Sequence, residues 1–78
     1  MPKLPPCRPE DVVHVARGIG FVLDRQKGSH AVYLREIDRR RIVVPMHRGD
    51  LKTGTLRGLV SDMGLTVDRF VEILSGKS

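Results

Sequence analysis

The sequence predicts an α+β domain in the order α-β-β-β-α-α, a three-stranded antiparallel sheet with its helices on one face. Three observations carry this expectation. Apolar residues recur at helical spacing on both sides of the middle, as Val12, Val13, Val15 and Ala16 before it and as Leu56, Leu59, Val60 and Met63 after it. Between them stand three short runs rich in β-branched and aromatic residues, joined by polar segments of turn composition. A chain of 78 residues has room for one core and no second domain.

Each element has a local reason. The Pro-rich leader, residues 1–7, should be irregular. Arg8-Pro9-Glu10-Asp11 reads as a helix start, with proline at the first position and two acids near the positive dipole end. Gly18 is a natural stop, and Ile19-Gly20 leads into Phe21-Val22-Leu23 as the first strand. Gln26-Lys27-Gly28-Ser29 has turn composition, which makes His30 to Arg35 a second strand joined by a short hairpin. Glu36 to Arg40 is a polar connection, and Arg41-Ile42-Val43-Val44-Pro45 is a third strand ended by its proline. After the loop Met46 to Asp50, Leu51-Lys52-Thr53-Gly54-Thr55 introduces a helix to about Met63, closed by Gly64. Thr66 then caps a last helix bearing Val67, Phe70, Val71, Ile73 and Leu74. The single domain spans residues 8–75, and 76–78 form a tail.

Alternation places His30, Val32 and Leu34 on one face of the second strand and Ala31, Tyr33 and Arg35 on the other. Both faces are partly apolar. The favoured reading turns Val32 and Leu34 towards the helices and sets His30 at the rim of the core, where Gly28 lets a phosphate approach. In the other reading Tyr33 is inward, and Val32 and Leu34 form an exposed apolar strip beside an outward His30. Tyr33 itself could stack on a base or belong to the core.

The net charge is +5, and it is unevenly distributed. Residues 25–57 hold nine basic and three acidic side chains, whereas the rest of the chain holds five and six. Such a local excess attracts phosphate backbones through counterion release, unless it is merely a solvated face. Arg25, Lys27, Arg39, Arg40, Arg41, Arg48, Lys52 and Arg57 are the candidate phosphate contacts. With three aromatic residues, sequence-specific reading by stacking is not expected. The single cysteine, Cys7, excludes an internal disulfide and a Cys-based zinc site, reads as an inert thiol and fits a reducing compartment. No apolar run reaches the roughly 20 residues of a membrane span, and the leader lacks the apolar stretch of a secretory signal, so a soluble, cytoplasmic protein is expected.

Three short segments together resemble a known family. Arg25-Gln26-Lys27-Gly28-Ser29-His30, then Val43-Val44-Pro45-Met46-His47, then Lys52-Thr53-Gly54-Thr55-Leu56-Arg57 fall in the order and spacing of the HicA toxins of bacteria and archaea. The likeness runs from about Glu10 to Leu74. It implies a fold like the double-stranded RNA-binding domain, and a metal-independent ribonuclease without cofactor that acts on mRNA. It also implies a HicB-type antitoxin that covers the active site. The histidine of the family's GSH motif is catalytic, and here that position is His30. Many relatives carry a second histidine directly after it, where this chain has Ala31. Relatives also commonly turn between the second and third strands at a glycine, which Leu34 to Arg40 lacks, so an extended edge is expected there.

The residues suit this chemistry. RNA carries its own nucleophile, and a histidine near its ordinary pKa can take the 2′-OH proton or protonate the leaving 5′-oxygen. Lys27, beside Gly28 and Ser29, is a candidate to stabilise charge on the phosphorane, with Arg25 as a positioning contact. His47 is a candidate acid if its loop folds back beside the second strand. His14, among valines of the first helix, reads as a surface residue. The competing function is a non-catalytic module gripping double-stranded RNA, which would not need the Gly28-Ser29-His30 motif. A weaker third is an adaptor acting only through its protein partner, which would have no RNA affinity.

Overall fold

The computed structural model describes residues 3–76, so Met1 and Pro2 of the expected leader and Lys77 and Ser78 of the expected tail lie outside it. The elements are α1 (Pro9–Gly18), β1 (Val22–Lys27), β2 (His30–Arg35), β3 (Arg40–Pro45), α2 (Thr53–Asp62) and α3 (Val67–Leu74), the predicted order. The sheet is antiparallel throughout, in the order β1-β2-β3. No helix among the described residues is long and apolar enough to cross a membrane.

The helices start as their sequences dictate. Pro9 opens α1, and the Arg8 backbone N–H donates to the Asp11 carboxylate at 2.9 Å. Thr66 caps α3 by accepting from the Arg69 N–H at 3.1 Å. The leader before α1 is irregular, yet its last residue, Cys7, is fully buried, and its carbonyl accepts from the Leu51 N–H at 2.8 Å. Burial first, and then the carboxylates of Asp11 and Asp50, raise the thiol's pKa, so Cys7 stays protonated and unreactive.

The ends of α1 and α2 follow one plan. Phe21 N–H bonds Ala16 O at 3.0 Å and Gly20 N–H bonds Arg17 O at 3.2 Å. Leu65 N–H bonds Val60 O at 3.1 Å and Gly64 N–H bonds Ser61 O at 2.9 Å. Both are Schellman motifs, with Gly20 (φ 100) and Gly64 (φ 78) in the left-handed position. Gly18 is therefore the last helical residue, and Gly20 is the glycine that turns the chain.

The sheet corrects the favoured facing of β2. Ala31 and Tyr33 are buried and His30 is exposed, so Val32 and Leu34 turn away from the helices. Cross-strand partners share a face, and Ala31 pairs with Val44 and Tyr33 with Ile42. Burying Tyr33, Ile42 and Val44 together removes more apolar surface from water than the opposite choice, and small Ala31 leaves room for the helices. The first strand is also longer than its apolar stretch suggested. It runs on through Arg25 and Lys27, a bulge lies between Leu23 and Arg25, and the turn is Gly28-Ser29 alone with Gly28 at φ 55. Its side chains are exposed, so burial could not have marked it in the sequence.

The connection after β2 is a four-residue turn and not an extended edge. Arg35 pairs with Arg40, and Arg39 takes φ 59, the conformation a glycine would adopt. What holds this turn is Arg35. Its Nε donates to Asp38 Oδ1 at 3.0 Å and its Nη2 to Asp38 Oδ2 at 2.8 Å, a fork on one carboxylate. The same guanidinium lies 4.7 Å from the centre of the Phe21 ring and donates to Ile19 O at 3.1 Å and Met63 O at 3.3 Å. Arg40 donates to Asp62 O at 3.2 Å and meets Asp38 at 3.2 Å. Two arginines from one turn thus cap the C-terminal ends of α1 and α2.

Three substitutions test this arrangement. Replacement of Arg35 by methionine keeps a stem over Phe21 but strips the caps, and should cost about 2 kcal/mol, seen as a melting temperature lower by roughly 10 °C. Arg35 first of all holds the Asp38 carboxyl down to about 2 from 3.8. Its folded pKa is depressed, so its stabilisation is present above pH 4 and lost as pH falls towards 2. Asp38→Asn should melt lower than wild type at neutral pH and lack that acid loss. Arg39→Gly, by contrast, should raise the melting temperature slightly, because the left-handed strain it relieves, about 1–2 kcal/mol, exceeds the roughly 0.4–1 kcal/mol of added unfolded-chain entropy and the weak exposed Arg39–Glu36 pair.

Candidate functional site

The helices cover one side of the sheet, and the other side is open. Register assembles the open face from three cross-strand rows: Lys27, His30 and Pro45; Arg25, Val32 and Val43; Val22, Leu34 and Arg41. Val22 is 58% exposed and Val43 47%, so an apolar band crosses a face whose ends carry cations. This is the exposed apolar strip of the second sequence reading. It is continuous across all three strands, because Val22 and Val43 extend it beyond Val32 and Leu34.

His30 opens β2 directly after the Gly28-Ser29 turn and is exposed. Neither ring nitrogen has a hydrogen-bond partner among the described residues, so both are open to a substrate. Lys27 is its cross-strand partner on β1 and makes no ion pair among the described residues. Gly28 has open space where a side chain would stand, and its carbonyl accepts from the Gln26 side-chain amide at 3.3 Å. Arg25 is two residues along the same strand face and meets Asp24 at 3.4 Å, a mostly exposed pair of little strength.

The loop after β3 does fold back beside this hairpin. Met46 N–H donates to the Ser29 carbonyl, which fixes the next residue, His47, at the same end of the sheet as His30. His47 is exposed, and its Nδ1 lies 3.0 Å from the Arg48 carbonyl. A carbonyl only accepts, so Nδ1 carries the proton and Nε2 is left for an external partner. His47, Arg48 and Gly49 line one wall of a cleft of about 330 Å³, whose other wall is Arg8 and Glu10.

The structure separates the remaining cations from this end. Arg35 and Arg40 pair at the far end of strands whose near end pairs His30 with Pro45, five residues or roughly 16 Å away. Arg39 is on that far turn, facing Glu36, and Arg40 is committed to Asp38 and Asp62. Arg41 lies on the open face beside Leu34 and forms no ion pair among the described residues. Lys52 precedes α2 and Arg57 sits on its exposed side, in the helix layer. His14 is exposed on α1 and Tyr33 is only 7% exposed, so the tyrosine is core and stacks on no base.

Sequence reasoning missed Arg8. Nothing in its local pattern marks it, and only the Leu51–Cys7 hydrogen bond brings the start of α1 against the Arg48 loop. It also missed Val22 and Val43 as members of an exposed band, which only the strand register reveals.

The site is thus a solvent-open hairpin histidine flanked by a lysine, a glycine turn and a second histidine's loop, beside an uncovered apolar sheet face. A search of curated proteins returns no match. The model of the family described as HicA toxin of bacterial toxin-antitoxin matches residues 9–65, from the first helix to the end of the second. The chain belongs to the HicA family, the toxins of bacterial toxin–antitoxin systems.

Proposed function

We propose that this toxin is a metal-independent endoribonuclease acting on mRNA, with His30 as its catalytic residue, and that a HicB-type antitoxin silences it by covering the open sheet face. The observation that carries the reading is the place of His30. It stands exposed beside a glycine turn, with both ring nitrogens unengaged among the described residues and Lys27 across from it.

In the reaction a base takes the proton of a ribose 2′-OH, the oxygen attacks the adjacent phosphorus, and the bond to the 5′-oxygen breaks. An acid returns a proton to that oxygen, leaving a cyclic phosphate and a 5′-hydroxyl. His30 can serve as base or acid near neutral pH. His47, through Nε2, is the candidate for the complementary transfer, since its loop is tied to the hairpin by the Met46–Ser29 bond. Lys27 and the backbone N–H groups of Gly28 and Ser29 supply positive charge and donors where the phosphorane develops. Arg25 and Arg41 hold phosphates beside the hairpin and Arg48 one farther along the strand, while Arg39, Arg40, Lys52 and Arg57 act through the field they add.

Ala31 sits where many relatives have a second histidine, and it is buried on the helix side. A histidine at this place would face away from His30, so Ala31 removes no group from the open face.

The antitoxin reading rests on the band of Val22, Val32, Leu34 and Val43, a partly exposed apolar surface ringed by Lys27, Arg25 and Arg41. A partner that buries it must also screen His30.

Incubation of a single-stranded transcript with the protein in EDTA tests the nuclease. Wild type should cut and leave cyclic phosphate ends, and His30→Ala should bind RNA, melt within a few degrees of wild type and lose at least 100-fold in cutting rate. Equal cutting by both would remove His30 from the mechanism. Salt-sensitive binding without cutting by either would leave a double-stranded RNA-binding module. For the partner, Val43→Glu should weaken capture of the cognate HicB-type antitoxin by about tenfold or more while leaving the melting temperature nearly unchanged.

A further inference from the structure

We propose that the cleft between Arg8 and the Met46–Asp50 loop seats a phosphate of the RNA strand flanking the bond cut at His30. The inference rests on the nuclease reading above and adds to it a binding site that includes Arg8, a residue outside every motif of the sequence.

The cleft measures about 330 Å³ and is lined by Arg8, Glu10, His47, Arg48 and Gly49. Two hydrogen bonds set its position. Met46 N–H to Ser29 O ties one end of the loop to the catalytic hairpin, and Leu51 N–H to Cys7 O at 2.8 Å ties the other end to the residue before Arg8. The loop is therefore a bridge from His30 to Arg8, and Arg48 is two residues, at most roughly 7 Å of chain, beyond the hairpin tie.

Its chemistry suits a ribose-phosphate unit. Arg8 and Arg48 form no ion pair among the described residues, in contrast to Arg35, Arg39 and Arg40, whose charges are spent on Asp38 and Glu36. Planar guanidinium forks on opposite walls match phosphate oxygens, and His47 Nε2 adds a third polar group. Gly49, at φ 83 with open space around it, keeps the loop wall low. Glu10 is the one acid in the lining and pairs with neither arginine. Its negative charge opposes an anion there, so removing that charge costs the seat nothing.

An RNA strand lying on the hairpin thus meets a second anchor in the direction of Arg48 and Arg8. The anchor contributes affinity only to strands long enough to span both places.

Binding of 2′-O-methyl oligonucleotides, which lack the nucleophile, tests this without any cutting. Short and long strands of about three and ten nucleotides are titrated at several salt concentrations. In the variant with Arg8→Ala and Arg48→Ala, affinity for the long strand should fall about tenfold and its salt slope by about one to two, the loss expected for one or two phosphate contacts. Affinity for the short strand should not change. Glu10→Gln should bind the long strand at least as tightly as wild type. Should the double variant lose its melting transition, Arg48→Gln alone reads the same contact. Equal losses for short and long strands, no loss for either, or a comparable loss in Glu10→Gln would overturn the seat. Unchanged oligonucleotide binding with weakened capture of the antitoxin would also overturn it and assign the cleft to a protein partner. Length-dependent binding by a wild type that does not cut in EDTA would sink the nuclease and leave the seat standing; absence of binding by wild type would sink the seat.

Discussion

The fold depends on one carboxylate between two arginines. Asp38 holds Arg35 by a two-toothed contact and Arg40 by a single one, and the arginines in turn reach the carbonyls of Ile19, Met63 and Asp62. A domain this small has few ways to fix helices on a three-stranded sheet, because its core is thin and its strands are short. Here the β2–β3 turn meets the last carbonyls of α1 and α2, where the helix dipoles are negative and backbone acceptors would otherwise lack partners. Arg35 also packs on Phe21, so the same side chain closes the core edge. The two Schellman glycines make this approach feasible. A Cβ at Gly20 would come within 3.3 Å of Arg35, and one at Gly64 within 3.2 Å of Arg40.

That arrangement leaves the opposite end and the opposite face for function. All structural ion pairing of the turn is concentrated at the far end of the sheet, and the near end, with Lys27, His30 and the His47 loop, is free of it among the described residues. The open face exists because three strands with all helices on one side must leave the other side uncovered. An uncovered apolar band beside an edge strand invites association, and β1 limits it by a bulge at Asp24 and by Arg25 and Lys27. The band is thus exposed where a specific partner can read it and guarded along the edge where an unspecific strand could add.

Much of this was legible in the sequence. The element order, the helix starts at Pro9 and Thr66, and the buried stripe of Val12, Val15, Leu56, Leu59 and Phe70 follow from period and capping chemistry, which are local. The facing of β2 was not legible, because Val32 and Leu34 compete with Ala31 and Tyr33 on nearly equal terms within one strand. The decision is made across strands, by Ile42 and Val44 on β3. The same holds for the site. His30 is marked by its own motif, whereas Arg8 enters only through a hydrogen bond between residues 44 positions apart in the chain, Leu51 and Cys7. At α1 the stop at Gly18 is local, whereas the choice of Gly20 as the residue that turns the chain rests on the Phe21–Ala16 bond that closes the helix end.

The uneven use of the arginines explains why a count of charges is a poor map of a binding surface. Arg39, Arg40 and Arg41 form the densest basic run in the sequence, yet Arg40 caps a helix and Arg39 stands in a strained turn facing Glu36. Only Arg41 projects onto the open face. Their field still draws a polyanion towards the domain, since potential sums over all charges irrespective of their partners. Contact is another matter, because a guanidinium already held by a carboxylate must break that hold before it can grip a phosphate. Long-range attraction is therefore broad, and short-range grip falls to cations such as Lys27, Arg41, Arg48 and Arg8, which form no ion pair among the described residues. A count of basic residues therefore overstates the surface on which a polyanion could be gripped.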